Sequence, residues 1–218
     1  IDASLGVGMV GGVKQLLLIC AVVALVGGCG GKKTEPKPEP LTEEESAKII
    51  DKEIRGDLGK PTGELTKADY EKVSGHISFG PEGLTSVTGL EKLTQLTFLS
   101  LHNNFLTSVN GLENLTQLKQ LHLSNNQLTD VTGLEKLTEL TMLNLSENKL
   151  TDVKGLEKLT QLTYLDLSDN QLTDVKGLEK LTQLKLLLLH NNPDLTKAQI
   201  DQLQKAFPKC KIIHNAKK

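Results

Sequence analysis

The chain has 218 residues, enough for one ordinary domain with appendages. Its net charge of −2 argues against a nucleic-acid partner and against an acidic interaction tail. Aromatic residues make up only 3% of the chain and tryptophan is absent, so leucine must form most of a thin, repetitive core. The three cysteines, Cys20, Cys29 and Cys210, have no zinc or redox spacing.

The amino-terminal segment, residues 1–28, is predicted to be a signal peptide. Lys14 supplies a positive charge, and residues 16–26 form an apolar run of 11 residues. This run is shorter than the ~20 residues that a membrane-spanning helix needs, but it suits a signal peptide. Met9 stands just before the charged residue, so we expect translation to start there and residues 1–8 to lie outside the translated product.

The apolar run ends in Val26-Gly27-Gly28-Cys29, which resembles the lipobox of bacterial lipoproteins. The resemblance implies that the Cys29 thiol carries a lipid and that the protein is held at the bacterial cell envelope. Val26 stands where leucine is usual. Gly30 stands where an aspartate would favour the inner membrane, so the outer membrane is preferred. The alternative is a plain signal peptide, or a membrane anchor with an incidental cysteine.

A tether and a helical region are predicted to follow. Residues 29–40 are polar, with proline at every second position from Pro36, which indicates a flexible linker that holds a folded domain away from the bilayer. Residues 41–73 are predicted to be a helical amino-terminal cap region. Thr42 and Glu45 have the spacing of a capping box, and one helix face then carries Ala47, Ile50, Ile54 and Leu58.

Residues 74–196 repeat themselves, as a degenerate half-repeat followed by five units of 22 residues. Glu82 takes the asparagine position in the half-repeat. Each unit contains the pattern Leu-x-x-Leu-x-Leu-x-x-Asn-x-Leu, and this pattern resembles the internalin-like class of bacterial leucine-rich repeats. The 22-residue step is visible in two columns of the framework. One is Val87, Val109, Val131, Val153 and Val175, and the other is Asn104, Asn126, Asn148, Asn170 and Asn192.

The resemblance implies a leucine-rich-repeat solenoid. We expect a curved parallel β-sheet on the concave face, turns and 3₁₀ segments on the convex face, and helical caps at both ends. The spacing has a physical reason, because alternate leucines such as Leu165 and Leu167 point inward and one strand cannot bury them alone. The repeated asparagine is predicted to pair with backbone groups where the chain leaves the strand.

Residues 197–218 are predicted to form a carboxyl-terminal cap helix and a final strand. Thr196 and Gln199 have capping-box spacing, like Thr42 and Glu45. Cys210 lies 23 residues after Leu187 and Ile212 lies 23 after Leu189, so Cys210 is predicted to be a small core residue of that strand. Asn215 keeps the same step from Asn192.

No sequence motif indicates catalysis: we find no Ser-His-Asp arrangement, phosphate loop or zinc spacing, and expect no cofactor or metal. His102 and His122 are predicted to lie on adjacent strands, where a shared metal is the alternative to ordinary exposed histidines. Four histidines fall on outward strand positions, His76, His102, His122 and His190.

The outward strand positions vary from unit to unit, whereas the framework does not. One column reads His76, Phe98, Gln120, Met142, Tyr164, Leu186, and the next Ser78, Ser100, His122, Asn144, Asp166, Leu188. An exposed apolar strip is expected there, with drift among surface residues as the alternative. The predicted partner-binding residues are Phe98, His122, Met142, Asn144, Tyr164, Asp166, Leu186 and Leu188.

The preferred hypothesis is a monomeric, non-catalytic protein-binding module. It would bind a protein partner on the concave sheet face and be attached to the membrane through Cys29. The alternatives are a structural spacer of the envelope without a discrete ligand, and an enzyme or enzyme subunit.

Overall fold

The computed structural model describes residues 38–216, which form seven parallel β-strands in a single sheet. Each strand lies beside the next strand along the chain, in the order β1 to β7. This arrangement confirms the predicted leucine-rich-repeat solenoid. The elements are α1 Glu43–Leu58, α2 Lys67–Tyr70, β1 Gly75–Ser78, β2 Leu96–Ser100, β3 Gln120–His122, β4 Met142–Asn144, β5 Tyr164–Asp166, β6 Leu186–Leu188, α3 Lys197–Ala206 and β7 Lys211–Ile213.

The strands stack in the register that the 22-residue step predicts. Leu121 pairs with Leu143, and Leu143 pairs with Leu165, so equivalent leucines of successive units lie side by side. All three have no exposed surface. Each strand carries only a few inward side chains, so these side chains are buried only because other strands pack on both sides.

Between strands, the chain returns through five short 3₁₀ helices, which we call the return segments: Leu90–Lys92, Leu112–Asn114, Leu134–Lys136, Leu156–Lys158 and Leu178–Lys180. A glycine with positive φ precedes each one, as at Gly133 with φ of 103°. The Glu135 carboxylate accepts the Gly133 N–H at 2.7 Å. This bond and that from the backbone N–H of Glu135 itself lower the pKa of the carboxyl group. The glutamate of every return segment accepts the N–H of the preceding glycine in the same way and so closes the turn.

The asparagine column forms a buried hydrogen-bonded ladder, as predicted. The Oδ1 atom of Asn148 accepts the N–H of Leu128 at 3.0 Å. Its Nδ2 atom donates to the carbonyl oxygens of Leu123, Leu145 and Ser146 at 3.0 to 3.1 Å. One amide thus satisfies backbone groups of two neighbouring units. Glu82, at the equivalent half-repeat position, is exposed.

Replacing Asn148 with alanine is expected to lower the free energy of unfolding by ~1–3 kcal/mol. The substitution leaves the buried Leu128 N–H without its acceptor. The carbonyl oxygens of Leu123, Leu145 and Ser146 each lose one donor but keep another, from Asn126, Asn170 and Asn125. Urea titration followed by circular dichroism measures the change. The matched control is Asn114→Ala, which deletes the same amide from an exposed position in a return segment and should cost less than ~0.5 kcal/mol. Equal stability of the two variants would contradict the ladder's role.

Helices flank the sheet at both ends, and the predicted capping boxes are present. Thr42 and Glu45 cap α1, and Thr196 and Gln199 cap α3. The first helix buries Ile50 and Ile54 in the core that the leucines form. Within residues 38–216, no helix combines the length and apolar character needed to cross a membrane.

The final strand is confirmed, but its predicted register is wrong by two residues. Ile212 pairs with Leu187, where the 23-residue step had placed Cys210. Cys210 still enters the core and is 4% exposed, but it does so from a turn in which its N–H donates to the Phe207 carbonyl oxygen at 3.0 Å. This turn after α3 takes up the two extra residues.

Candidate partner-binding face of the sheet

The open sheet face consists of two columns of outward strand residues, and strand pairing sets their spacing. The first column is His76, Phe98, Gln120, Met142, Tyr164, Leu186 and Lys211. The second is Ser78, Ser100, His122, Asn144, Asp166, Leu188 and Ile213. All eight predicted binding residues lie in these columns, on the consecutive strands β2 to β6.

Phe98 is not exposed, contrary to the sequence-based expectation. Its side chain is 7% exposed, because an imidazole lies on each side of it. The His76 ring stacks on it at a centroid distance of 4.9 Å, and the His122 ring is tilted against it at 5.3 Å. Phe98 therefore orders its neighbours and offers little area to a partner.

Asp166 is also buried, with 8% exposure. One carboxylate oxygen accepts the backbone N–H of Ser168 at 3.0 Å. The other accepts the Tyr164 hydroxyl at 3.4 Å. Asp166 therefore closes the turn after β5 and orients Tyr164, and it offers little surface for direct recognition.

Tyr164 is half-buried beside Asp166. Burial, followed by the charge and hydrogen bond of Asp166, raises the pKa of the phenol to about 12. The hydroxyl therefore stays protonated and keeps donating to the carboxylate at physiological pH. The ring is held by its own hydroxyl, which reduces the entropy that a partner must remove to bind it.

The remaining predicted residues are partly exposed. Met142 and Asn144 lie at the centre of the face on β4. The Asn144 side-chain oxygen Oδ1 accepts the N–H and the hydroxyl of Ser146, at 2.9 and 2.8 Å. Leu186 and Leu188 lie on β6. Beside Leu188 is Ile213, which is 39% exposed.

Ile213 belongs to this face and was missed from the sequence. The 23-residue step assigned Cys210 and Ile212 to the inward side of the last strand. Ile213 was therefore not assigned to either outward column. The two-residue register shift places it directly beside Leu188. We call Leu186, Leu188 and Ile213 the apolar end of the face.

A further column, next to the buried asparagines, was also missed. Its residues adopt a left-handed backbone with φ between 54 and 59°, although none of them is glycine. They are Asn103, Asn125, Glu147, Asp169 and Asn191. Their side chains join neighbouring units, as where Asn125 donates to Asn103 at 2.6 Å and Asn191 to Asp169 at 2.7 Å. Asn215 continues this column by donating to Asn191 at 2.8 Å, instead of extending the buried ladder. The enrichment in Asn and Asp at one repeat position was the available signal.

The structure brings Ser168, His190 and Asp169 together, although the sequence suggested no Ser-His-Asp arrangement. The Ser168 hydroxyl is 2.9 Å from His190 Nδ1, and His190 Nε2 is 3.5 Å from the Asp169 carboxylate. Ser168 is only 1% exposed, so its oxygen cannot reach a substrate from solution. The geometry is that of a structural network that joins β5 to the turn after β6.

His102 was predicted on the strand next to that of His122, but it lies two residues beyond the end of β2, from where its charge reaches His122 on β3. Partial burial and then the charge of His102 lower the pKa of His122. His102 Nδ1 is paired with the Ser100 hydroxyl at 2.9 Å. Over residues 38–216, no three His, Cys, Asp or Glu side chains are grouped so that they could hold a metal ion.

Comparison with known proteins agrees with the observed fold. A family model described as leucine-rich repeats, in two copies, matches residues 116–158 and 160–205. None of the curated proteins matches the chain. The chain therefore contains leucine-rich repeats, a fold that typically serves as a protein-binding module.

Solved structures of bacterial leucine-rich-repeat proteins are similar to this chain. The internalin inlF of Listeria monocytogenes is 25% identical with a TM-score of 0.64, over 69% of this chain and 45% of that one. A leucine-rich-repeat protein of Leptospira interrogans is 28% identical with a TM-score of 0.60, over 71% and 41%. The internalin C2 of Listeria monocytogenes is 22% identical with a TM-score of 0.59, over 86% and 93%, and shows likeness of fold alone. The chain spans less than half the length of the first two proteins.

Proposed function

We propose that this chain is a non-catalytic protein-binding module, held by a lipid at the bacterial cell envelope, whose partner docks on the open sheet face. One observation carries the proposal. The inward leucines and the asparagine ladder repeat in every unit, whereas the outward residues on the same strands differ at almost every step. A repeated scaffold that presents a non-repeated face suits recognition of one particular surface.

The face has the dimensions and chemistry for a protein partner. Seven strands ~4.8 Å apart extend over ~30 Å, enough for an extended segment or a small domain. Met142, Tyr164 and the apolar end supply partly exposed apolar area on hydrogen-bonded strands. Such preordered side chains lose little entropy when a partner covers them. Phe98 and Asp166 would act by holding His122 and Tyr164 in place.

The attachment to the envelope is supported by sequence. The Val26-Gly27-Gly28-Cys29 segment and the proline-rich stretch after it suit a lipid anchor and a tether, and Gly30 favours the outer membrane over the inner one. We propose that the protein is a monomer whose sheet face is held clear of the bilayer. Catalysis is disfavoured because the one Ser-His-Asp chain within residues 38–216 has a buried serine.

Replacing Tyr164 with alanine is expected to weaken partner binding by ~1–3 kcal/mol, roughly 5-fold to 150-fold in Kd, without unfolding the protein. The loss follows because a half-buried ring near the centre of the face is removed. A photo-cross-linker at Met142 would identify the partner in intact cells. Titration of the purified pair would then measure Kd for the wild type and for Tyr164→Ala.

The matched control is a triple alanine variant of Lys136, Lys158 and Lys180 in the return segments, which should bind normally. If that triple variant loses the partner while Tyr164→Ala and Leu188→Ala keep it, the partner binds the opposite side. If no protein is cross-linked on the sheet face or on the side of the return segments, the structural-spacer alternative is favoured.

A further inference from the structure

Two histidines flank Phe98 at the β1 to β3 end of the sheet face, and a third follows β2. His76 and His122 flank the phenyl ring at 4.9 and 5.3 Å, one from each neighbouring strand. His102 follows β2 and is close enough to lower the pKa of His122 by charge repulsion. We call His76, His102 and His122 the imidazole cluster.

No Asp or Glu lies on β1 to β4, the strands that carry or adjoin the imidazole cluster. Residues 75–80, 97–103 and 119–125 contain none either, and the next carboxylate along the chain after β1 is the exposed Glu82. The charged side chain in these stretches is Lys119, which is basic. On the other side of β3, β4 presents Met142 and Asn144, which do not titrate. A proton gained by His122 would therefore be repelled by His102, and the strands on either side of His122 offer it no carboxylate.

The opposite end of the face is arranged differently. His190 has Asp169 at 3.5 Å as a counterion within the protein itself. Two further carboxylates lie nearby, Asp166 on β5 and Glu147 in the turn after β4. Beyond them, the apolar end carries no charge apart from Lys185 and Lys211 at its margin. On this face, negative charge thus lies in the middle, and the imidazoles without a carboxylate on their own or a neighbouring strand lie at one end.

We propose that the imidazole cluster binds an acidic segment of the partner protein, and that this binding tightens as the pH falls below neutrality. The proposal rests on the proposed function, because it assigns a chemistry to one part of the same face. Carboxylates of the partner would accept hydrogen bonds from the imidazole N–H groups and replace the missing counterion. Apolar residues of the partner would then lie toward the apolar end, three to four strands or ~15–20 Å away.

The sign of the pH dependence follows from linkage. An anion that binds the protonated imidazoles more tightly than the neutral ones raises their pKa in the complex. Affinity must therefore rise as the pH falls through the raised pKa values of the complex, and it levels off only below the pKa values of the free histidines. Burial and repulsion keep the pKa of His122 below its ordinary value, so the rise should continue below about pH 6.5.

The test uses the purified full chain and a dye-labelled peptide of six aspartates, with a six-asparagine peptide as the neutral probe. The aspartate peptide is expected to bind at least about tenfold more tightly near pH 5.5 than near pH 7.5, and added salt should weaken it. A triple variant, His76→Gln, His102→Gln and His122→Gln, should abolish this pH dependence. His190→Gln is the matched control and should keep it, because His190 lies outside the cluster and already has Asp169 at 3.5 Å.

A second variant keeps the test decisive if the triple variant does not fold. His76→Lys places a fixed positive charge at an exposed position and should bind the aspartate peptide near pH 7.5. Equal binding at both pH values, or equal loss in His190→Gln, would overturn the proposal. A cross-linked partner that depends on Tyr164 but binds equally well at both pH values would leave the proposed function intact and remove only the acidic-segment assignment.

Discussion

Replacing Leu143 with alanine is expected to lower the free energy of unfolding by ~2–5 kcal/mol. Leu143 is completely buried on β4, the middle strand of seven, and pairs with Leu121 on one side and Leu165 on the other. Its neighbours are leucines that the strand register holds in place, so they cannot collapse into the space that three carbon atoms leave. Urea denaturation followed by circular dichroism measures the change.

Two controls separate a cavity from a general defect of the strand. Leu143→Met keeps most of the volume and should cost less than ~1.5 kcal/mol. Ile213→Ala removes a 39% exposed side chain from the last strand and should cost less than Leu143→Ala. If Leu143→Ala and Ile213→Ala are equally stable, the stacked leucines are not the main source of stability.

The fold could be predicted from the sequence because the same local requirement recurs many times. Leucine and asparagine return every 22 residues, and each unit buries its inward side chains only against identical neighbours. Both capping boxes could be predicted for a similar reason, since Thr42 with Glu45 and Thr196 with Gln199 act within four residues. Errors appear where the repetition stops: the turn after α3 shifts β7 by two residues, and no periodicity indicates such a turn.

The candidate face was only partly predictable. Alternation along the strands correctly assigns residues to the outward side, but outward does not mean exposed. Phe98 is covered by imidazoles from the two strands beside it, and Asp166 turns back to its own backbone. Both effects depend on contacts between particular side chains, and the order of residues along one column does not show those contacts. Ile213 was missed because the register error removed it from the columns.

The face that results has two chemically different ends. Uncompensated imidazoles lie at β1 to β3, and partly exposed aliphatic side chains lie at β6 and β7, with Tyr164 between them. An extended partner segment can satisfy both ends in only one direction. The non-repeating columns would thus specify the orientation of the partner as well as its identity.

Replacing Cys29 with alanine is expected to abolish lipid labelling of the protein completely. Cys29 lies outside the residues that the structure describes, and this prediction rests on the Val26-Gly27-Gly28-Cys29 segment after the apolar run. In the proposed anchor, the Cys29 sulfur is the atom that would carry the lipid, and alanine offers no nucleophile in its place. Growth with a fatty-acid analogue that bears a clickable group, followed by gel fluorescence, measures the label.

The matched control is Cys20→Ala, which removes another cysteine from the same segment and should leave the label unchanged. Loss of the label should also move the protein from the detergent phase to the aqueous phase on detergent partitioning, since apolar burial of a lipid contributes about 0.8 kcal/mol for each methylene group. The sheet face should keep its affinity for the partner in vitro, because residues 29–40 are predicted to act only as a tether. Equal labelling of the wild type and Cys29→Ala would rule out the lipid on Cys29 and leave a plain signal peptide, or a membrane anchor with an incidental cysteine, as the explanation of this segment.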